Sequence, residues 1–171
     1  SGFLISKERN IRQMSIEKVR NYFEKLGMAD RITEFNTSSA TVDLAAEALR
    51  CPPQWIAKTL SFSANGEPLL IVCAGDTKID NSKYKAQFGT KAKMLTYEEV
   101  DELVGHSVGG VCPFEVNNGV KIYLDVSLKR FDTVYPAAGS SNSAVRLSPD
   151  ELEKYSNSSG WIDVCKIKDI A

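Results

Sequence analysis

The sequence contains one histidine, His106, and four widely separated cysteines, with no pair in a Cys-x-x-Cys spacing. Because structural zinc sites draw their ligands mainly from cysteine and histidine, this small supply argues against a metal site. The same scarcity leaves His106 as the one imidazole that could act as a general base, and it follows the end of a predicted helix. We therefore expect no metal, no cofactor, reduced and mostly buried cysteines, and no Ser/His/Asp or Cys/His nucleophile.

Long apolar runs and a surplus of charge of one sign are also lacking. No run approaches the roughly 20 residues of a membrane-spanning helix, and the start has no apolar signal region. The 21 Lys and Arg residues and 22 Asp and Glu residues give a net charge of -1, which argues against coating duplex nucleic acid by bulk attraction. A local basic pocket remains compatible with this balance. We expect a soluble, cytoplasmic protein with no membrane partner.

The 171 residues suit one ordinary domain. Residues 1–13 lack periodicity and are predicted to be a leader or N-terminal extension, so the domain spans residues 14–171. Apolar periodicity and capping residues predict helices near residues 16–26, 42–49, 81–88 and 97–104, with a last one starting after Ser148. Predicted strands fall within residues 31–37, 55–62, 69–74, 94–95, 120–126, 131–135, 144–147 and 161–167. Because helices and strands do not alternate strictly, we expect one α+β (mixed α/β) domain with a mixed sheet.

The strand predicted at Trp55–Phe62 carries a lysine on its apolar side. Side chains alternate along a strand, so Lys58 shares a face with Ile56, Leu60 and Phe62. An unpaired buried charge is costly, so this lysine either extends to water at the strand end or lies in a cavity with a partner. The alternation leaves both alternatives open, and in the second Lys58 is the cationic anchor of a concave site.

Two further stretches suggest places for functional groups. The apolar run Leu69–Ala74 suits a strand buried on both faces at the centre of a sheet, and Gly75-Asp76 follows its carboxyl end. The loop Ser107–Phe114 contains Gly109 and Gly110, which permit a tight turn or a close approach to a ligand, and Pro113 stiffens its exit. This loop is either an ordinary glycine turn before a strand or a place where backbone N–H groups point at an oxyanion.

Five motifs together resemble one known family. They are Ala57-Lys58-Thr59-Leu60, Gly75-Asp76, Gly109-Gly110-Val111-Cys112-Pro113-Phe114, Tyr123-Leu124-Asp125 with Ser127-Leu128, and Ala138-Gly139-Ser140. In order and spacing they resemble the YbaK and prolyl-tRNA synthetase-associated editing domains, from about Met14 to Leu152. The resemblance implies a single compact domain with a curved mixed sheet flanked by helices. It also implies aminoacyl-tRNA deacylation, the hydrolysis of the ester that joins a wrong amino acid to the terminal adenosine of tRNA.

The resemblance implies roles for particular residues. The catalytic group comprises Lys58, Gly109, Gly110, Val111 and Pro113, with Lys58 on the terminal phosphate or ribose and the N–H groups of Gly110 and Val111 on the carbonyl oxygen. Water, or a ribose hydroxyl that assists it, is the attacking group. The substrate-binding group comprises Thr37, Leu60, Asp76, Cys112, Asp125, Gly139 and Ser140. The implied partners are the acceptor end of mischarged tRNA and an aminoacyl-tRNA synthetase.

Two departures from the family pattern affect the expected substrate. Glu115 stands where the family often has glycine, and nothing after His106 supplies the histidine that synthetase-inserted members use. The second departure places the chain with free-standing, trans-acting members, whose substrates include Cys-tRNA(Pro) or Ala-tRNA(Pro). Two alternatives remain: a non-catalytic module that binds a small ligand, nucleotide or protein in the same pocket, and an ordinary hydrolase with His106 as its base.

Overall fold

A computed structural model describes residues 15–39 and 41–168. The leader predicted for residues 1–13 lies outside them. The helices are α1 (residues 15–25), α2 (Val42–Leu49), α3 (Asn81–Phe88), α4 (Tyr97–Glu99) and α5 (Pro149–Tyr155). The strands are β1 (Ile32–Glu34), β2 (Ile56–Ala64), β3 (Glu67–Ala74), β4 (Thr77–Ile79), β5 (Lys121–Asp125), β6 (Tyr135–Pro136), β7 (Ser143–Val145), β8 (Gly160–Ile162) and β9 (Cys165–Ile167).

A five-stranded mixed sheet with the order β6-β2-β3-β5-β8 forms the centre of the molecule. Strand β2 pairs antiparallel with β3, whereas β6 pairs parallel with β2, β5 with β3, and β8 with β5. Two short antiparallel ribbons, β1 with β7 and β4 with β9, complete the strand pairing described. The mixture of pairings in one domain confirms the predicted α+β fold.

Strand β3 lies in the middle of this sheet, as its apolar run predicted, and its two faces bury different clusters. Leu70 and Val72 belong to the larger cluster, which also contains Val19 and Phe23 of α1. Leu69, Ile71 and Cys73 face the smaller cluster, where they lie with Phe62 and with Tyr84 of α3. Because both faces are covered, β3 is a rigid base from which its neighbour β2 and the following turn are positioned.

The capping residues set most helix boundaries as predicted. The Asp80 side chain accepts hydrogen bonds from the first turn of α3, and Thr96 and Ser148 form capping boxes with Glu99 and Glu151. Gly89 ends α3 with a positive φ of 73°. These local interactions can be predicted from sequence because each joins residues at most four positions apart.

Several details differ from the sequence-based prediction. Of the strand predicted at residues 131–135 only Tyr135 lies in a strand, and the stretch 161–167 contains β8 and β9, which belong to different sheets. The helix that begins at Tyr97 continues as a π-helix over Val100–Val104 rather than as a regular α-helix. Residues 94–95 form no strand, and Met94 makes an isolated bridge with Phe62. Strand β5 ends at Asp125, whose carboxylate caps a 3-10 helix over Val126–Arg130. Val126 is therefore exposed instead of continuing the buried face of the strand.

Within residues 15–39 and 41–168, no helix is long and apolar enough to cross a membrane.

Candidate functional site

A cavity of about 330 Å³ opens where the outer edge of β2 loses its partner. Strand β6 pairs with β2 only at Ile56 and Ala57. Further along, Ser61 accepts a hydrogen bond from Leu95 N, at 3.1 Å. Between these contacts, no strand of the described chain pairs with Lys58–Leu60 on this edge. The gap in the sheet edge is therefore the floor of the cavity.

Helix α2, the start of the Tyr97 helix and the loops around residues 108–111 and 137–144 surround this gap. Five residues predicted for the site line the cavity: Lys58, Leu60, Gly109, Val111 and Ser140. Gly110, Cys112, Pro113 and Gly139 belong to the same two loops but are not among the lining residues. Thr37, Asp76 and Asp125 are not among them either. The structure thus brings residues of three sequence motifs, those at 57–60, 109–114 and 138–140, together around one opening.

Lys58 is half-buried, and its ammonium donates a hydrogen bond to the Thr77 carbonyl oxygen. It lies opposite Cys73 in the β2–β3 pair, on the face of β2 that carries Phe62, as the side-chain alternation predicted. Burial lowers the pKa of the Lys58 ammonium, and the nearby Lys168 acts in the same direction. Since an ammonium has three N–H donors, the bond to Thr77 leaves two for an anionic ligand, which would raise this pKa again.

The two glycines of the 107–114 loop meet different structural requirements. Gly109 has a φ of +94°, and the Gly110 N–H donates to the Ser107 carbonyl at 3.0 Å, as in a turn that requires a positive φ at its third residue. Gly110 instead lies against the neighbouring loop, because a Cβ there would be 2.8 Å from Ser140 Cα. One glycine therefore permits the turn and the other permits close contact between the two loops.

The hydrogen bond of the Gly110 N–H corrects one expectation. This N–H was expected to face the substrate carbonyl, but the Ser107 carbonyl already accepts it. Among the described residues, the N–H groups of Val108, Gly109 and Val111 have no acceptor, and all three residues line the cavity. They are the backbone donors of this loop that remain available to an oxyanion.

The loop that contains Ser140 is fixed by hydrogen bonds on both sides of the cavity mouth. Ser140 Oγ lies 2.9 Å from Asn142 Oδ1 and 2.6 Å from Ser143 Oγ. The Asn142 side chain donates to the Phe35 carbonyl at 3.0 Å, which ties this loop to the segment before α2. Gly139 has a φ of +95°, and a Cβ there would lie 2.6 Å from the Ser15 carbonyl oxygen. The Ser140 loop is thus held by side-chain hydrogen bonds and by a close backbone contact at Gly139.

Thr59, which the sequence did not single out for the site, lines the cavity and carries a buried, unpaired hydroxyl. Its Oγ1 is buried and has no hydrogen-bond partner among the described residues. Thr59 lines the cavity together with Lys58, which is the one charged side chain among the described lining residues. A buried hydroxyl without a partner is costly, so a ligand that supplies a hydrogen-bonding group here gains stability. The Lys58-Thr59 motif was the sequence signal, but a motif does not show whether a hydroxyl is buried without a partner.

The remaining predicted residues do not line the cavity. Asp76 forms a bidentate ion pair with Arg130, with N···O distances of 2.6 and 3.0 Å. The hydrogen bonds from Arg130 are the main cause that lowers the pKa of the Asp76 carboxyl. Asp125 is buried and accepts hydrogen bonds from Ser127 N and Val164 N. Thr37 is exposed. Pro113 lines a second, separate pocket.

His106 is fully buried and is not among the residues that line the cavity. Its Nε2 lies 2.7 Å from the Phe114 carbonyl oxygen and 3.5 Å from Cys112 Sγ. Burial lowers the pKa of His106 to about 4 and raises the pKa of Cys112 to about 12. Both groups are therefore neutral at pH 7, which is the opposite of a thiolate–imidazolium pair. The three other cysteines are also free thiols, and two of them are buried.

The outer rim of the cavity is apolar and strongly exposed. Tyr97, Met94 and Val108 line the opening and are 73%, 61% and 41% exposed. Sequence reasoning missed this rim, since Tyr97 looks like an ordinary first-turn residue of a helix and Met94 like part of a strand. Their shared position is set by the bridge of Met94 to β2 and by the loop of Val108, which are distant in sequence.

The sequence model of the aminoacyl-tRNA editing domain family matches residues 37–155. An uncharacterized protein of Bacillus subtilis, YwhH, is 53% identical over 154 residues, covering 90% of this chain and 98% of YwhH. The proline–tRNA ligase of Lactiplantibacillus plantarum is 26% identical over 125 residues, which are 72% of this chain and 22% of the ligase.

Among solved structures, a proposed trans-editing enzyme for prolyl-tRNA synthetase superposes with a TM-score of 0.80 at 28% identity, covering 89% of this chain and 97% of that protein. Its agreement with the present fold confirms the curved, helix-flanked sheet that the resemblance implied. The family match covers the β2 strand, the glycine loop and the Ser140 loop that form the cavity. The chain belongs to the aminoacyl-tRNA editing domain family, and its enzyme class is that of an aminoacyl-tRNA deacylase.

Proposed function

We propose that the protein acts in trans on mischarged tRNA and hydrolyses the ester of a small, neutral amino acid, such as alanine or cysteine on tRNA(Pro). The observation that carries the proposal is the cavity at the open edge of β2. Lys58, Thr59, Gly109 and Val111 all line it, and they carry an ammonium, an unpaired hydroxyl and two N–H groups without an acceptor among the described residues. This set contains a cation, a neutral hydrogen-bonding group and two backbone donors, which are the groups that an aminoacyl ester requires.

In the proposed reaction, the ester carbonyl lies at the glycine loop. Attack by water makes a new carbon–oxygen bond and places negative charge on the carbonyl oxygen, where the N–H groups of Gly109 and Val111 stabilise it. The attacking water gives up a proton, the bond to the ribose oxygen breaks, and the ribose oxygen takes up a proton, so that the free amino acid and the free tRNA end leave. Water or a ribose hydroxyl that assists it supplies the attack, so the site needs no side-chain nucleophile. His106, buried outside the cavity, has no part in this sequence.

Lys58 and Thr59 orient the substrate in this arrangement. The two N–H donors that Lys58 does not use on Thr77 face a phosphate or ribose oxygen of the tRNA end. The Thr59 hydroxyl accepts a hydrogen bond from the α-amino group of the aminoacyl moiety. The Lys58 charge then acts on the anionic side of the substrate, while the cationic amino group meets a neutral acceptor.

The size and lining of the cavity favour small amino acids. A volume of about 330 Å³ is near the lower limit of pockets that enclose small molecules, and here it must hold the ester as well as the side chain. Its wall includes Val42, Ala45 and Ile56, and Lys58 is assigned to the tRNA end, so a charged side chain would lose its hydration without a partner. A pocket of this kind acts as the second sieve of double-sieve editing: it admits and hydrolyses the small mischarged products that a synthetase could not exclude by binding energy.

The proposed partners are the acceptor end of tRNA and an aminoacyl-tRNA synthetase that supplies additional affinity, in the cytoplasm where charged tRNA is used. The net charge of -1 limits bulk attraction to RNA, so binding by this chain alone is expected to be weak and salt-sensitive.

Hydrolysis of a panel of charged tRNAs tests the proposal. The wild-type protein is incubated with alanyl- and cysteinyl-tRNA(Pro), correctly charged prolyl-tRNA(Pro), and aspartyl- and lysyl-tRNA. We expect rapid ester loss with alanine or cysteine, and background rates with the charged amino acids and with proline. Loss of no ester would exclude deacylation and favour the binding module, whereas equal loss of all esters would exclude selection by the cavity.

A further inference from the structure

The exposed rim of the cavity has a composition that the deacylation chemistry alone does not explain. Tyr97 is 73% exposed although it is aromatic, and Met94 beside the opening is 61% exposed. Val108 of the glycine loop completes this apolar rim. Single exposed apolar residues are ordinary on protein surfaces, but three around the mouth of one cavity indicate a binding surface.

The proposed substrate determines what must lie at this rim. If the ester occupies the cavity floor near Val111 and Thr59, the ribose that carries it fills the mouth. The terminal base, attached to that same ribose, then lies immediately outside. Tyr97, Met94 and Val108 are the exposed apolar residues that line this opening, and a planar base has two apolar faces to cover.

Charges near the rim indicate the direction in which the RNA strand continues. Lys91 and Lys93 are exposed and lie three residues and one residue before Met94, whereas Glu98 follows Tyr97. The Glu99 carboxylate is engaged by the Thr96 backbone N–H at 3.0 Å. Lys91 and Lys93 therefore favour the phosphates of the preceding nucleotides in their neighbourhood. An aromatic side chain flanked by cations is a common arrangement for binding single-stranded nucleic acid.

We propose that Tyr97, supported by Met94 and Val108, is the platform on which the 3′-terminal adenine of the tRNA stacks, with Lys91 and Lys93 beside the phosphates that precede it. This inference rests on the proposed function and extends it from the ester to the nucleoside. Tyr97 is a binding residue in this account and takes no part in bond cleavage.

The test measures the affinity for adenosine 5′-monophosphate by NMR titration, with ribose 5-phosphate as the probe that lacks the base. Tyr97→Ala removes the ring, Tyr97→Phe keeps it, and Leu103→Ala is the matched control. Leu103 is another exposed apolar residue of the same helical stretch, and it does not line the cavity. We expect Tyr97→Ala to lower the affinity for the nucleotide about tenfold, because stacking of a base on an aromatic side chain contributes that much to binding. Tyr97→Phe and Leu103→Ala should bind as the wild type does.

Three results would overturn the platform. The first is no measurable binding of adenosine monophosphate by the wild type, and the second is an equal affinity of wild type and Tyr97→Ala for this nucleotide. The third is a loss of affinity for ribose 5-phosphate in Tyr97→Ala that equals the loss for the nucleotide. This outcome is separable from that of the proposed function. A wild type that binds the nucleotide through Tyr97 but hydrolyses no ester keeps the platform and excludes deacylation. A wild type that hydrolyses the ester with a KM unchanged in Tyr97→Ala keeps deacylation and excludes the platform.

Discussion

Replacing His106 by glutamine should change how the stability of the protein depends on pH. The buried imidazole is held neutral, with its pKa lowered from an ordinary 6.5 to about 4 by burial and, to a lesser extent, by the charge of Lys18. In the unfolded chain the same imidazole takes up a proton near its ordinary pKa. The unfolded state therefore binds more protons between the two values, and the folded state loses stability as the pH falls from 7 toward 4.

The two pKa values set the size of this effect. They predict that titration of His106 lowers the free energy of unfolding by about 2 kcal/mol at pH 5 and about 3 kcal/mol at pH 4, relative to neutral pH. His106→Gln has no titrating group at this position, and its amide can still donate to the Phe114 carbonyl that lies 2.7 Å from Nε2. Whatever constant cost the replacement carries, its loss of stability on acidification should be smaller by these amounts.

The assay is urea denaturation of wild type and His106→Gln at several pH values between 4 and 8. Carboxyl groups titrate in both proteins, so the difference between the two curves isolates His106. Parallel curves across this range would refute the reasoning, because they would mean that the imidazole titrates alike in the folded and unfolded states. Deacylation by a folded His106→Gln at neutral pH should remain close to wild type, whereas the alternative with a histidine base requires its loss.

Two further substitutions test the cavity wall and the loop contact. Thr59→Val removes the unpaired hydroxyl while keeping the side-chain shape, so denaturation should show unchanged or slightly higher stability. The rate of single-turnover deacylation should fall about tenfold. A wild-type rate would exclude a hydrogen bond from the substrate to Thr59. Gly110→Ala brings a Cβ within 2.8 Å of Ser140 Cα and should cost about 1–3 kcal/mol in denaturation and also slow deacylation. The control is Gly119→Ala, where a Cβ meets no atom within 4 Å and only the φ of +91° adds strain. Equal effects of the two alanines on deacylation would contradict a specific role for the loop contact.

Local sequence signals predicted much of the secondary structure. The caps Asp80, Thr96 and Ser148 act within one turn of helix, and the apolar run of β3 needs no knowledge of its neighbours to be assigned to a sheet centre. The π-helical turn at Val100–Val104 was not predicted because the same apolar spacing suits an α-helix. Val126 was placed on a strand face because alternation alone does not show where Asp125 begins to cap the next turn.

The candidate site was less accessible to sequence reasoning, because its interactions join residues far apart in the chain. The alternation of side chains placed Lys58 correctly on a strand face, but its bond to the Thr77 carbonyl depends on the turn after β3. The contact of Gly110 with Ser140 shows why a second glycine is needed in that loop, which no local pattern reveals. The gap in the edge of β2 depends on the short pairing of β6 and on residues 93–95, so the cavity itself emerges only in three dimensions.

Single-turnover hydrolysis of alanyl- or cysteinyl-tRNA(Pro) by Lys58 variants tests the central claim, that the cavity at the edge of β2 holds the ester for hydrolysis. Lys58→Ala should slow the reaction about tenfold to a thousandfold, because a charge-assisted contact that positions the substrate is lost. Lys58→Arg should recover little, since a planar guanidinium does not fit the space of an ammonium. Lys121→Ala, which removes an exposed lysine of β5, should match the wild-type rate and controls for net charge. Thermal melts establish that each variant is folded, and a folded Lys58→Ala that hydrolyses the ester at the wild-type rate would contradict the account.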